Sequence, residues 1–142
     1  MEFNDILAEI MIEKDLTCVA LSKEIGVINA TVSAWRSGKS GIKLSNLLKL
    51  ADYFNCSIQY LTGRTEKKLD YVPQVPPPFY TSLKQVMQNH KKTRYRMTVK
   101  DKIVADTNFV DWSRGSDPSL KKLIDLADYF SITIDELVGR EK

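Results

Sequence analysis

Few side chains of this chain have the type and spacing needed for catalysis or metal binding. Its cysteines, Cys18 and Cys56, are far apart in sequence, and the lone His90 has no neighbouring cysteine or carboxylate. This spacing favours neither a zinc site nor a disulfide framework, and Cys56 is expected to be a small core residue. No glycine-rich phosphate loop and no Ser/His or Cys/His arrangement occurs. We therefore expect no enzyme activity, no metal site and no cofactor.

The cations are concentrated in one short segment of the second half. The net charge is +3, but residues 1–64 are balanced at seven basic and seven acidic side chains, whereas residues 79–142 carry twelve against nine. Much of the excess lies in the segment HKKTRYR, around Tyr95. A basic cluster of this kind is suited to neutralising phosphates. The four cations of the segment are Lys91, Lys92, Arg94 and Arg96.

The elements that must position these side chains are repeated along the chain. The segment LADYF occurs at 50–54 and again at 126–130, and residues 44–64 are identical to residues 120–140 at 11 of 21 positions. Trp35 corresponds to Trp112, which follows it by 77 residues, whereas residues 44–64 and 120–140 are 76 residues apart. A repeat of about 64 residues is long enough to fold alone. We therefore predict two tandem domains, 1–65 and 79–142.

The segment between the repeats, residues 66–78, is predicted to be a linker. It has four prolines in six positions, which exclude a regular helix and favour extended polyproline II geometry. No apolar run approaches the ~18 to 20 residues of a membrane span, and the N-terminal segment lacks the basic region of a secretion signal. A cytoplasmic protein without membrane association is expected.

Apolar residues in each repeat recur at helical spacing, and no alternating run is long enough for a strand. We therefore predict an all-α chain of two five-helix domains. Asn4 or Asp5 is expected to cap the first helix, and Thr17 the second. Gly26 permits a sharp turn after the second helix, and Ser57 is a suitable cap for the fifth. The predicted core residues of helices three and four are Val32, Trp35, Leu47, Leu50 and Phe54, and helix four also contains the apolar Leu48 and Ala51.

Residues 17–38 predict two short helices that meet across a turn containing glycine. The small Ser22 stands where the two helices would cross. Together with Gly38-Lys39 and the Leu-x-x-Leu-Ala block at 47–51, the pattern closely resembles helix-turn-helix DNA-binding domains of the lambda-repressor/Cro type, also called the xenobiotic-response-element type. The resemblance covers residues 4–64. It implies a lambda-repressor-like fold whose third helix enters the major groove of double-stranded DNA.

The resemblance also implies which residues contact DNA. Asn29 is the best-suited base reader, because its amide can pair with adenine N6 and N7, while Ala30 and Ala34 suit thymine methyl groups. Since this reading face is small and largely apolar, DNA shape is expected to contribute to specificity. The implied base-reading residues are Ile28, Asn29, Ala30, Ser33 and Ala34. The implied phosphate-binding residues are Thr17, Cys18, Lys39 and Lys43.

The second repeat resembles the same domain most clearly over its last 21 residues, with a helix start predicted at Asp117-Pro118. Its helix-turn-helix is altered, because the turn glycine is missing. Val99, Ile103 and Phe109 are expected to replace Leu21, Ile25 and Val32. The positions that correspond to the reading face are Asp106, Thr107, Val110 and Asp111, and the two carboxylates among them disfavour entry into a groove.

Two roles for the second repeat remain open at this point. It either holds DNA phosphates without reading bases closely, or it is a module for dimerisation or partner binding. The phosphate contacts of the first role would be Lys91, Lys92, Arg94, Arg96 and Arg114.

The sequence therefore predicts a sequence-specific, double-stranded DNA-binding regulator of transcription, similar to repressors of the phage or bacterial type. It would occlude a promoter, either as a homodimer on a pseudo-palindrome or as an intramolecular pseudo-dimer. The alternative is a protein-interaction module, such as an antirepressor or an antitoxin-like protein, that kept the fold. The neutral charge of the first repeat and the carboxylates of the second motivate that alternative. No small-molecule substrate is evident.

Overall fold

The computed structural model describes residues 1–66 and 74–141. The chain divides into two compact units, Met1–Asp70 and Tyr71–Lys142. Every regular element among the described residues is a helix, which confirms the all-α prediction. None of the helices in these ranges is long and apolar enough to cross a membrane.

The first unit contains five α-helices, and short capping signals set their boundaries. Thr17 accepts the amide of Ala20 at 3.0 Å and Ser57 accepts that of Tyr60 at 3.0 Å, so both predicted caps are confirmed. The first helix begins earlier than predicted. Its N-cap is Glu2, whose amide donates to the Asp5 carboxylate at 3.1 Å. The helices are α1 (Phe3–Glu13), α2 (Cys18–Ile25), α3 (Asn29–Ser37), α4 (Leu44–Phe54) and α5 (Ile58–Leu61).

In the core of the first unit, α3 packs against α1 and α2, and α5 packs against α1 and α4. The predicted core residues of α3 and α4 are all buried, whereas Leu48 of α4 is half-buried. Cys56 is buried as predicted, and its side chain is a thiol that is not part of a disulfide. This packing fixes which side of α3 faces solvent.

The second unit follows the same order of helices, with one irregular element. Its α-helices are α6 (Phe79–Asn89), α7 (Asp106–Ser113), α8 (Leu120–Phe130) and α9 (Ile134–Val138). Between α6 and α7 lies a helical segment, 94–100, which ends in a π-helix over Arg96–Lys100. The predicted start of α8 at Asp117-Pro118 is wrong by two residues, because the hydroxyl of Ser119 accepts the Lys122 amide and caps the helix there.

Residues with a left-handed backbone conformation occur at corresponding positions of the two units. Asn55 and Ser131 both end a long helix with positive φ, at 52° and 56°. Gly26, with φ of 74°, corresponds to Lys102, with φ of 52°, so the missing turn glycine is replaced by a lysine in the same conformation. The two units thus turn at matching points. The other matching pairs are Asp15 with Lys91, Gly38 with Gly115, and Gly63 with Gly139.

The prediction that Val99 replaces Leu21 is wrong. Val99 is 50% exposed, whereas Met97 is fully buried. The reason is the register set by the helix cap: the hydroxyl of Thr93 accepts the Arg96 amide at 3.1 Å, and Met97 follows Thr93 by four residues, as Leu21 follows Thr17. Ile103 is only half-buried, and Val104 is buried beside it.

The predicted linker lies partly on residues 67–73, which are outside the described residues. Its last five residues, 74–78, contact the end of the second unit. The amide of Gln74 donates to the Arg140 carbonyl at 3.3 Å, and a Cβ placed on Gly139 would lie 2.8 Å from Pro77. Pro78 has φ of −53° and ψ of 143°, close to polyproline II geometry, and α6 begins directly after it.

Candidate nucleic-acid interface

The turn between α2 and α3 positions the candidate reading helix. Gly26 adopts a left-handed conformation, and its amide and that of Val27 both donate to the Ser22 carbonyl at 3.0 Å. This closes α2 with a glycine C-cap, and Ile28 then returns to extended geometry before α3 begins. Ser22 is buried at the crossing, where a larger side chain would separate the helices. The helix-turn-helix geometry therefore depends on Gly26 and Ser22.

The inner side of α3 is anchored and the outer side faces solvent. Val32 is fully buried and Trp35 is 2% exposed, while Asn29, Ala30 and Ser33 are exposed. The remaining implied base-reading residues are Ile28, which is 69% exposed, and Ala34, which is half-buried. All five lie in one short segment that begins at the start of α3. A helix exposed along one side fits a major groove, where side chains reach base edges.

The implied phosphate-binding residues occupy two positions beside α3. Thr17 and Cys18 begin α2, where unpaired helix amides and the helix dipole favour an anion. The Thr17 hydroxyl accepts the Ala20 amide and keeps its own proton for donation to a phosphate oxygen. Lys39 follows α3 and Lys43 precedes α4, and both side chains are exposed.

Sequence reasoning missed Arg36 as a member of this surface. It is exposed in the last turn of α3, seven residues after Asn29, and a spacing of seven places two helical residues on nearly the same side. That spacing was the available signal. A guanidinium at this position can bind a phosphate or a guanine edge.

The basic segment of the second unit is partly neutralised by its own carboxylates. The Nε of Arg94 lies 2.7 Å from Asp106, and the Arg94 guanidinium also lies over the Phe109 ring at 5.2 Å. The Nε of Arg96 lies 3.1 Å from Asp101. Two of the five predicted phosphate contacts are therefore held in ion pairs. Lys91 and Arg114 are exposed, and Lys92 lies 5.5 Å from the Tyr129 ring.

The reading positions of the second unit differ from those of the first in charge and pairing. Asp106 begins α7, as Asn29 begins α3, but its carboxylate is bound by Arg94. Asp111 and Thr107 are exposed, and Val110 is half-buried. The charge of Asp106 is therefore offset by Arg94, whereas the exposed carboxylate of Asp111 would repel a phosphate backbone.

Asp101 is the centre of a polar cluster that fastens the segment 94–100 to α8. It accepts the Tyr129 hydroxyl at 2.6 Å and the Arg96 guanidinium at 3.1 Å. Both hydrogen bonds lower the pKa of Asp101, and the bond from Tyr129 has the larger effect. Burial and the bond to Asp101 raise the pKa of Tyr129 to about 12. No local pattern in the sequence predicts this cluster, because Asp101 and Tyr129 are 28 residues apart.

Asp101 is expected to make the stability of the second unit sensitive to acid. Because its pKa is lower in the folded state than the ordinary value of 3.8, its stabilising effect is present above that value and is lost as the pH falls below it. The denaturation midpoint of the wild type should exceed that of Asp101→Asn at pH 7. The difference should shrink as the pH falls below 3.8, and a difference independent of pH would contradict the assignment.

In the first unit, α2, the turn at Gly26 and α3 together form a helix-turn-helix. Residues 7–65 match the family model described as the Cro/C1-type HTH DNA-binding domain. The matched residues therefore contain one such domain, which includes α2, α3 and the candidate interface residues of the first unit. The match does not extend into the second unit. No curated protein and no solved structure matches the chain.

Proposed function

We propose that this protein regulates transcription by binding a specific double-stranded DNA sequence through the outer side of α3, and that it represses by occluding a promoter. The exposure of Asn29, Ala30 and Ser33 on a helix anchored by Val32 and Trp35 supports the proposal. This exposure is the main support for the proposal, because the buried residues of α3 hold these side chains at the solvent surface. The likeness to small phage or bacterial repressors belongs to the same proposal.

In the proposed complex, α3 lies in the major groove, and residues on either side of α3 bind the sugar-phosphate backbones of the two DNA strands. Asn29 reads an adenine through its amide, and Ser33 and Arg36 contact neighbouring bases or phosphates. The start of α2 binds one phosphate at Thr17 and Cys18. Lys39 and Lys43 bind phosphates on the other side of α3.

We also propose that residues 79–142 are a second, divergent copy of the domain, used for interaction instead of base reading. The matching left-handed turns support the common fold. The pairing of Arg94 with Asp106 and of Arg96 with Asp101 supports the loss of DNA contact, since each carboxylate offsets the positive charge that would attract a phosphate. A homodimer formed through this copy would place two α3 helices on a pseudo-palindromic site.

Selection from randomised duplexes is expected to enrich one motif, and Asn29→Ala is expected to weaken binding of it. Loss of a bidentate contact costs about 1–3 kcal/mol, roughly 5- to 150-fold in Kd. The measurement is a fluorescence anisotropy titration at fixed moderate salt. Gln88→Ala, which removes an exposed amide from α6, is the matched control and should bind as the wild type does. If no motif is enriched, the protein is not a sequence-specific binder.

The same titrations, repeated over a range of salt concentrations, test the role of the second copy. If it contacts phosphates, Lys91→Ala and Arg114→Ala should each reduce the slope of log Kd against log salt by about one. Unchanged slopes agree with an interaction module. Substitution of Lys39 provides the positive control, because that residue lies beside α3.

A further inference from the structure

The exposed side of α1 carries an acidic patch that includes one large apolar side chain. Ile12 is 70% exposed, and the exposed carboxylates of Glu9 and Glu13 lie within about 100° of it around the helix axis. The two glutamates are one turn apart and repel each other, and α1 contains no basic residue that would offset them. Glu13 also lies in the last turn, where the helix dipole favours a cation. Helix stability therefore does not account for this acidic patch, Glu9, Ile12 and Glu13.

The second unit carries a basic patch that also includes apolar side chains. Tyr95 and Val99 are 61% and 50% exposed and four residues apart. Arg96 and Lys100 are exposed at the same spacing, and residues one turn apart lie side by side on a helix. These four residues form the basic patch. Residues 91–106 contain six basic and two acidic side chains, so their net charge is +4 even though both carboxylates of the ion pairs described above are counted.

Each patch is present in one unit and absent from the corresponding positions of the other. The residues of α6 at the positions of the acidic patch are exposed, polar and uncharged, namely Gln85, Gln88 and Asn89. At the positions of Val99 and Lys100, the first unit has Lys23 and Glu24, which are exposed on α2. The helical order that the two units share therefore does not require either patch.

The charges of the two patches decide what can cover them. Two acidic patches would repel each other, and so would two basic patches. An acidic patch and a basic patch attract each other, and the apolar side chains of both leave water when they meet. Every molecule of this chain carries both patches, so two molecules can make the same contact twice, as a two-fold dimer requires.

We infer that the acidic patch of one molecule binds the basic patch of a second molecule of this chain. Ile12 of one molecule packs against Tyr95 and Val99 of the other, and the carboxylates of the acidic patch face the cations of the basic patch. The inference rests on the proposed function, because it names the partner of the unit to which that proposal gives an interaction role. It assigns no DNA contact to either patch.

Sedimentation equilibrium of the full chain without DNA measures this contact, and the wild type is expected to dimerise. Ile12→Gln, which copies Gln88 of α6, should weaken dimerisation by roughly 10-fold or more in Kd, the factor for loss of one buried aliphatic side chain. Val99→Lys, which copies Lys23, should weaken it similarly. Val19→Lys changes an exposed valine of α2 outside both patches and should dimerise as the wild type does. Circular dichroism verifies that each variant is folded.

Charge reversal tests which patches meet. Glu13→Lys and Lys100→Glu should each weaken dimerisation by about fivefold per contact, the upper range for an exposed ion pair. An equimolar mixture of the two variants should recover the wild-type affinity. In the mixed dimer, one contact has both charges reversed and the other has neither, so both contacts again join opposite charges.

The inference is overturned if the wild type is a monomer, if the patch variants dimerise as the wild type does, or if the mixture does not recover affinity. A monomer in which Lys100→Glu lowers the salt dependence of duplex binding would assign the basic patch to DNA instead. These outcomes are separate from the proposed DNA binding. A monomer that enriches a DNA motif would retain that function, and a dimer that enriches none would lose it while keeping the contact.

Discussion

Replacing Trp35 with alanine is expected to destabilise the first unit by about 3–5 kcal/mol, the range for removal of a large buried aromatic side chain. Trp35 is 2% exposed and lies on the inner side of α3, which packs against α1 and α2. Small domains have little net stability to lose. We therefore expect most of the first unit to unfold and the proposed DNA binding to disappear with it.

Hydrogen exchange of the full chain measures this prediction region by region. Peptides from residues 1–66 of Trp35→Ala should lose amide protection. Arg36→Ala, which changes the next residue on the exposed side, should retain it. Asn29→Ala should also retain it while losing affinity, which separates a residue that reads DNA from one that supports α3. Wild-type protection in Trp35→Ala would show that α3 is not anchored as described.

Replacing Asp135 with alanine is expected to destabilise the second unit by about 3–5 kcal/mol, because it removes one partner of a buried ion pair. The carboxylate lies 3.1 Å from Nη1 of Arg140, and the side chains are 0% and 1% exposed. Removal of the carboxylate takes a buried anion away from the guanidinium, which is itself buried. Burial of such a charge is costly, so the C-terminal residues around α9 should separate from the core.

The first unit suggests the control for that experiment. There the matching arginine, Arg64, donates from Nε to the Gln59 side chain at 3.3 Å. Asp135→Gln copies this neutral partner into the second unit and should be the milder substitution. The midpoint of chemical denaturation, followed by hydrogen exchange of residues 120–141, compares the variants. Equal losses for alanine and glutamine would show that a hydrogen-bond acceptor at this position does not matter.

The elements governed by short-range signals could be predicted from the sequence. Thr17 and Ser57 act through amides three residues away, and Gly26 acts through its own backbone. Val32 and Trp35 are buried because their spacing puts them on one side of a helix. The region that contains the candidate interface is therefore well determined by local patterns.

Across the irregular segment between α6 and α7, the predicted register failed at Val99, although Phe109 is buried as Val32 is. Val99 and Met97 are both apolar and two residues apart, so composition does not decide which one is buried. The Thr93 cap and the left-handed Lys102 decide it, and the second of these is a conformation that a lysine seldom adopts. The start of α8 was also predicted wrongly, because Ser119 is as suitable an N-cap as the residues before it.

The sequence alone determined that this chain is helical, that its pattern is used twice, and that α3 of the first unit has an anchored and an exposed side. Helix spacing and capping are local properties, and the chain carries them in adjacent residues. Tertiary structure alone decided the charge that the second unit presents. Arg94 is 12 residues from Asp106, and Asp101 is 28 residues from Tyr129. Packing brings these groups within hydrogen-bonding distance, and composition counts their charges without showing that they pair.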